Sequence, residues 1–283
     1  MTSWLVTGGE GFIGGTIVRL SGATSYDLKS GENILDTEKL SSVCGDVNGI
    51  FHCAAKISVP ESIERPDEYY LNNVEGTKSV IQAAKNAGAG GIKSIFSSSA
   101  AVYGESNHPV KEEEVLSPLS PYAENKRDGE VLLRESGLPA VILRYFNVYG
   151  PGQSAAYAGV ITAFIRAALK GDDLIINGDG EQVRDFIFVE DVARANIAAM
   201  ESDIANGQTF NIGSGTKTSI NELAEEILRL TNSTSKIIYA PARAGDIVYS
   251  QADVSKAKEI LNWSADVGIS EGLQRTIEFY KRV

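Results

Sequence analysis

The chain has 283 residues, 43% hydrophobic and 22% charged, with a formal net charge of -11 at pH 7. Such a chain can bury one large core or two modest ones without disulfides or metals, and its charge opposes nucleic acid at long range. Two cysteines (Cys44 and Cys53), two histidines and no CxxC pair argue against a metal site. A small anionic ligand remains admissible, because a few arginines and helix N-termini can hold one. The opening MTSWLVTGG runs straight into a strand and a glycine turn, with no basic leader or long apolar segment. A soluble, cytoplasmic protein without a membrane partner is therefore expected.

Strand-like and helix-like segments alternate through the first half. Residues 3–7 (SWLVT) form a short apolar run ended by glycines, and 12–20 read as a helix with Ile13, Ile17 and Leu20 on one side. Short strands follow, one ending at Tyr26-Asp27 and one at 50–52. A long helix comes after Pro66, with Asp67 as its cap and Gly88 as its stop. Strands at 94–97 and 140–144 flank a helix that begins near Tyr122. This order predicts an α/β fold: a Rossmann, doubly wound parallel sheet over residues 1–150. Beyond Gly150-Pro151 the pattern is irregular, with helices at 160–170, 221–230 and 270–280 and a GDG turn at 178–180. Residues 151–283 are read as a smaller α/β substrate lobe, with segments near 181–212 returning to the first.

The turn Thr7-Gly8-Gly9-Glu10-Gly11-Phe12-Ile13-Gly14 joins the first strand to the first helix. Gly8, Gly11 and Gly14 leave room for a pyrophosphate against the backbone, and the helix N-terminus supplies N–H donors and partial positive charge. Asp27 ends the second strand, nineteen residues after Gly8. A carboxylate there suits the adenosine ribose hydroxyls and repels a 2′-phosphate, which favours NAD over NADP. Lys29 two residues later is the one feature that would tolerate such a phosphate.

Of the 11 tyrosines, only Tyr122 has a lysine four residues later, Lys126, on the same helical face. A phenol of pKa about 10 is a poor base at neutral pH, but a nearby ammonium and a bound nicotinamide cation favour the phenolate. Tyr122 can then take a proton from a sugar hydroxyl while hydride leaves for the cofactor. Ser99 closes the preceding strand, in the ligand crevice of an open parallel sheet, and can bond the same substrate oxygen.

The strings VTGGEGFIG, HCAAKISVPES, NNVEGT, SSSAAVYG, SPYAENK, LRYFNVYGPG, GDGEQVRDFIFVEDVA and RAGD cover nearly the whole chain. Together they resemble the extended short-chain dehydrogenase/reductases, and within these the UDP-glucose (UDP-galactose) 4-epimerases. The resemblance implies that Ser99, Tyr122 and Lys126 form a catalytic triad, with Lys126 also holding the nicotinamide ribose. It implies that NAD is lined by Gly8, Gly11, Phe12, Ile13, Asp27, Asn33, Ile34, Cys53, Ala54, Ala55, Asn72, Tyr122, Lys126 and Tyr145. On the substrate side it implies Arg184 and Arg243 at the diphosphate, Asp246 at the uridine ribose and Asn147 at the phosphates. Both arginines suit a diphosphate fork. It also implies a homodimer formed through a helix pair. Asn33 departs from the usual Asp beside the adenine, and Asn177 from the aromatic residue that similar chains carry before that glycine.

The family includes epimerases, 4,6-dehydratases, decarboxylases and reductases. Similar dehydratases place Asp-Glu after the catalytic hydroxyl residue, and decarboxylases a Glu at the second position; here both are alanine, Ala100 and Ala101. A methyl group shuttles no proton, so NAD-dependent 4-epimerisation of a UDP-sugar through a transient 4-keto intermediate is expected. The competing readings are a nucleotide-sugar oxidoreductase or dehydratase of the same family, and a non-catalytic NAD-binding regulator. Ser250 falls at the family's substrate gate, where a small residue implies tolerance of UDP-N-acetylglucosamine beside UDP-glucose. Other features are read plainly. His52 and His108 lack ligating neighbours, Tyr69 and Tyr70 pack or face solvent, 111–114 (KEEE) is a solvated loop, and Trp263 anchors the second lobe.

Overall fold

The computed structural model describes residues 3–87, 91–154, 159–242 and 247–282. In chain order the first half runs β1 (Trp4–Thr7), α1 (Phe12–Ser21), β2 (Thr24–Tyr26), α2 (Thr37–Cys44), β3 (Gly49–His52), α3 (Val59–Glu64) and α4 (Pro66–Tyr70). It continues with a π-helical stretch at Leu71–Glu75, then α5 (Gly76–Asn86), β4 (Lys93–Ser99), α6 (Pro121–Glu135) and β5 (Ala140–Tyr145). The second half contributes β6 (Asn147–Tyr149), α7 (Val160–Lys170), β7 (Leu174–Asn177), β8 (Val183–Arg184), β9 (Phe186–Phe188), α8 (Val189–Glu201) and β10 (Thr209–Ile212). Last come β11 (Thr218–Ser219), α9 (Ile220–Thr231), β12 (Ile237–Ala240), β13 (Tyr249–Ser250), α10 (Ser255–Leu261) and α11 (Ile269–Tyr280).

The main sheet has six strands in the order β10-β5-β4-β3-β1-β2, every pair parallel. All residues of β3 and β5 are buried, as expected for strands covered by helices on both faces. The chain leaves β1 to one side for β2 and to the other for β3, so the switch point lies between β1 and β3. A crevice opens there at the strands' C-terminal ends. One apolar cluster joins Val6, Ile17, Phe51, Ile95 and Val141 to Val192 and Ala195 of α8, which packs on α1. A second joins Leu5, Tyr26 and Ile50 to Leu40 of α2 and Val80 of α5. The smaller lobe has its own core, in which Phe164 and Ile165 of α7 meet Leu223 and Ile227 of α9 and Leu273 and Ile277 of α11. Its strands form short sheets, β12-β7 and β11-β8-β13, while β6 pairs with β9. A capping box of Ser219 and Glu222 starts α9.

Several expectations are corrected here. The segment between β2 and β3 holds α2, eight residues whose Leu40 and Cys44 alone are buried, too few for a periodic signal. Likewise α3 is six residues started by Ser58, whose side chain accepts the Glu61 N–H. Asp67 does not cap the helix after Pro66; Arg65 holds the cap position and Asp67 lies in the first turn, where an acid favours the helix dipole. The helix ends at Asn86, and the expected stop Gly88 lies outside the described residues. Leu20 is 41% exposed instead of sharing the buried side of α1. Trp263 sits in the cluster on the main sheet, its indole N–H donating to the Asp191 carbonyl at 3.1 Å, so it pins the return to the first lobe and not the second. Within 111–114, Glu112 is tied down, its carboxylate accepting the Asn211 N–H at 2.7 Å. Tyr69 is buried, its hydroxyl donating to Glu61 at 2.9 Å, while Tyr70 is exposed.

Candidate active site

The crevice begins with the glycine turn after β1. Gly8 has φ +74°, and a Cβ there would lie 2.8 Å from the Ala54 nitrogen. A Cβ on Gly14 would lie 2.1 Å from the Gly8 carbonyl oxygen. These contacts press the turn against the exit of β3 and against its own helix, a packing that any side chain would break. Gly11 caps α1 without a side-chain acceptor, so the positive end of the helix opens on the turn. The adjoining cavity, about 280 Å³, is lined by Gly8, Gly11, Asp27, Asn33, Ile34, Cys53, Ala54, Ala55 and Asn72, all expected at the cofactor. Phe12, Ile13 and Gly14 form the first turn of α1 beside it. This narrow groove with a bare helix N-terminus fits a dinucleotide.

Asp27 is 9% exposed, and its carboxylate accepts the Glu10 N–H at 3.0 Å and the Lys29 N–H at 2.9 Å. The Lys29 ammonium donates to the Glu10 carbonyl at 2.8 Å, so it braces the turn. Glu32, not anticipated from the sequence, also lines the groove and accepts the Asp27 N–H at 3.3 Å. Two carboxylates at one end of the groove disfavour a 2′-phosphate more firmly than Asp27 alone.

Tyr122 and Lys126 lie on the first turns of α6, which Ser120 caps by accepting the Ala123 N–H. The Tyr122 N–H donates to Ser62 Oγ of α3 at 3.2 Å. Ser99, the last residue of β4, accepts the Ala101 N–H at 3.2 Å. Burial raises the Tyr122 phenol above its ordinary pKa, and a hydrogen bond with the Ser99 side chain pulls it back. The Lys126 Nζ lies 6.0 Å from the Tyr122 ring centroid and donates to the Ser97 carbonyl at 2.7 Å. Burial lowers Lys126 to about 8, against the opposing influence of Cys53 and Glu130. The expectation that this ammonium draws the phenol down differs from the structure, in which burial dominates Tyr122.

Beneath these groups, Ser97 Oγ donates to the Tyr145 hydroxyl at 3.1 Å and lies 3.2 Å from Cys53 Sγ. The Tyr145 hydroxyl donates in turn to Asn196 at 2.9 Å. Burial pushes the Cys53 thiol up to about 11 and raises the Tyr145 phenol further, so both stay neutral. His52 is equally inert: its ring nitrogens meet Thr7 Oγ1 at 2.8 Å and Thr77 Oγ1 at 3.0 Å, and burial lowers it to about 3. Below Ser98 lies a buried ion pair that sequence reading missed. Glu130 accepts from Arg144 through both oxygens, at 2.8 and 2.7 Å, and from Ser98 Oγ at 2.6 Å. An arginine inside the apolar run AVILRYF was the available signal, since a buried charge requires a partner.

A second cavity, about 500 Å³, opens on the smaller lobe and is lined by Asn147 and Arg184 together with Asn177, Gln182 and the start of α7. Ser250 stands beside Arg184 in strand register. Asn147 donates its main-chain N–H and its Nδ2 to the Asp185 carbonyl, at 2.9 and 3.1 Å. Gln182, also unanticipated, donates to the Asn177 carbonyl at 2.9 Å. Arg243 and Asp246 lie outside the described residues.

A family model described as the NAD dependent epimerase/dehydratase family matches residues 4–213. A UDP-N-acetyl-alpha-D-glucosaminuronate decarboxylase from Bacillus cytotoxicus is 36% identical over 99% of this chain and 98% of its own. The crystal structure of a UDP-glucose 4-epimerase from Thermotoga maritima, with UDP-glucose, superposes with TM-score 0.92 at 35% identity, covering 99% of both chains. A UDP-N-acetylglucosamine 4-epimerase from Methanobrevibacter ruminantium, in complex with UDP-N-acetylmuramic acid, gives TM-score 0.92 at 37% identity over 99% of this chain and 98% of that one. With its glycine turn, its Tyr122/Lys126 helix and its sheet all in agreement, the chain belongs to the NAD-dependent epimerase/dehydratase family.

Proposed function

We propose that the chain is an NAD-dependent 4-epimerase of UDP-sugars, acting on UDP-glucose and UDP-galactose and tolerating their N-acetylated counterparts. The observation that carries this reading is the pairing of Ser99 and Tyr122 at a site whose next two residues, Ala100 and Ala101, bear no acid or base. Among the described residues, Glu130 is committed to Arg144 and Glu112 to the Asn211 amide. Elimination or loss of a carboxyl group therefore lacks the extra proton carrier expected from the family's other branches.

Gly8, Gly11, Asp27 and Ala54 would hold NAD, which would supply the hydride acceptor and donor. Tyr122 takes the proton from the sugar C4 hydroxyl on oxidation and returns it on reduction, while Ser99 holds the same oxygen. Burial holds the Tyr122 phenol above its ordinary pKa here, so the positive charge of bound NAD would be needed beside that of Lys126 to favour phenolate formation. Asn147, Arg184 and Arg243 grip the diphosphate, and Asp246 holds the uridine ribose. Ser250, beside Arg184, leaves room for an acetamido group.

An HPLC equilibrium assay on UDP-glucose, UDP-N-acetylglucosamine and UDP-glucuronate tests this, with absorbance at 340 nm followed in parallel. Interconversion without net NADH supports the epimerase. The decarboxylase relative makes a second reading specific: loss of CO₂ from a UDP-uronate, without 4-epimer, would replace the proposal. Ser250→Tyr should lower activity on the acetylated sugar relative to UDP-glucose by roughly tenfold; an unchanged ratio would remove Ser250 as the gate.

We also read the chain as a cytoplasmic homodimer. Exposed Ile63, Tyr70, Leu71 and Val131 on the packed α3, α4 and α6 region support a self-contact. Light scattering on a size-exclusion column tests the stoichiometry, and a monomeric mass at micromolar concentration would overturn it.

A further inference from the structure

Asp185 lies between β8 and β9, immediately after Arg184, and it is fully buried. A charge inside the run VRDFIF must find donors or be excluded. One carboxylate oxygen accepts Ser214 N–H and Ser214 Oγ, both at 2.7 Å, and the other accepts Gly215 N–H at 3.0 Å and Ala252 N–H at 3.1 Å. All four partners donate and favour the carboxylate, while burial opposes them and raises the carboxyl above its ordinary pKa. The successive amides of residues 214 and 215 form an anion-binding nest filled from within the chain. Gly213 permits this approach: a Cβ there would lie 2.7 Å from the Asp185 oxygen and 2.7 Å from the Ala252 Cβ. The Asp185 carbonyl meanwhile takes both Asn147 hydrogen bonds, at 2.9 and 3.1 Å.

One residue thus connects three elements of the nucleotide side. Its neighbour is Arg184, its carbonyl holds Asn147, and its carboxylate holds Ala252, two residues beyond Ser250. The loop at 213–215 leaves β10, the edge strand of the main sheet whose strand β4 ends at Ser99. We propose that Asp185 is a positioning residue that sets the diphosphate grip of Asn147, Arg184 and the Ser250 strand at a fixed distance from the reacting end of the sheet. This rests on the nucleotide-sugar reading given above, and it assigns Asp185 no contact with substrate.

The test measures UDP binding by titration calorimetry, KM and kcat for UDP-glucose, and NAD binding, in the wild type, Asp185→Asn and Ser214→Ala. Asp185→Asn should weaken UDP and raise KM by about 30-fold, the loss of a charge-assisted anchor, with NAD affinity unchanged. Ser214→Ala removes one of the four donors and should produce a smaller shift of the same kind, roughly twofold to fivefold. Should Asp185→Asn fail to fold, Gly213→Ala disturbs the same carboxylate from the opposite side and should show the same selective loss. UDP affinity and KM equal to wild type, even with a lowered melting temperature, would reduce Asp185 to a structural role and overturn the proposal. A wild-type protein that fails to bind UDP would overturn the nucleotide-sugar reading itself, and the positioning role with it.

Discussion

The cofactor groove and the nucleotide-side cavity are built by opposite means. The groove is made largely by main chain: the Gly8–Gly14 contact, the open end of α1 and the exit of β3 at Ala54. The nucleotide side draws on residues 147, 184, 213–215 and 250–252, drawn together by one buried carboxylate. Their charges differ too, with Asp27 and Glu32 in the groove and Arg184 in the cavity. A turn packed against its own helix tolerates no added atoms at Gly8 or Gly14, whichever side chains line the rest of the groove. A site formed across four segments tolerates side-chain variation only while its internal tie holds.

Substitutions can separate the two halves. The largest effect is expected where they meet: Tyr122→Phe should reduce kcat by roughly 1,000-fold, the scale of a lost general acid–base group. NAD and UDP affinities should both survive; if either falls comparably, Tyr122 belongs to binding and not to the division between the halves. Gly14→Val forces atoms into the Gly8 carbonyl, since even a Cβ would stand 2.1 Å from its oxygen. NAD affinity should drop by about 100-fold through distortion of the turn, with UDP titration close to wild type. Arg184→Ala is the mirror experiment: UDP affinity should fall roughly tenfold to 30-fold, and NAD retention in purified protein should be unchanged.

The smallest effect concerns stability under the cofactor half. His52 is lowered to about 3 from 6.5 by burial, so below pH 6.5 the unfolded chain binds a proton that the folded chain refuses. Its contribution therefore declines as pH falls from 6.5 toward 3, at about 1.4 kcal/mol per pH unit. His52→Asn should be less stable at pH 7 and show a flatter acid slope in urea unfolding. An unchanged slope would mean that His52 charges without unfolding the chain.

Legibility followed the same division. The glycine turn, Asp27 and the Tyr122/Lys126 spacing were readable because each depends on neighbours in sequence and on helical or strand period. Helices α2 and α3 were not readable, since eight and six residues give too few apolar positions to declare a period. Glu32 stood five residues from Asp27 without a pattern to mark it. Arg144 and Asp185 were visible as charges inside apolar runs, which signals a partner but does not name one. Trp263 was assigned by its place in the chain, whereas its indole reaches back to Asp191.

Periodicity, turn chemistry and an ordered set of motifs were enough to define the parallel sheet and the glycine turn and to nominate Ser99, Tyr122 and Lys126, because those features are local and repeat a known order. Only tertiary structure could decide what Lys126 bonds, how Tyr122 is held by burial and Ser99, and which residue binds the nucleotide side together. Those outcomes depend on desolvation and on hydrogen bonds between segments distant in the chain, such as Asp185 to Ala252 and Glu130 to Arg144. Distances of that kind have no period in sequence, so they emerge when the core closes.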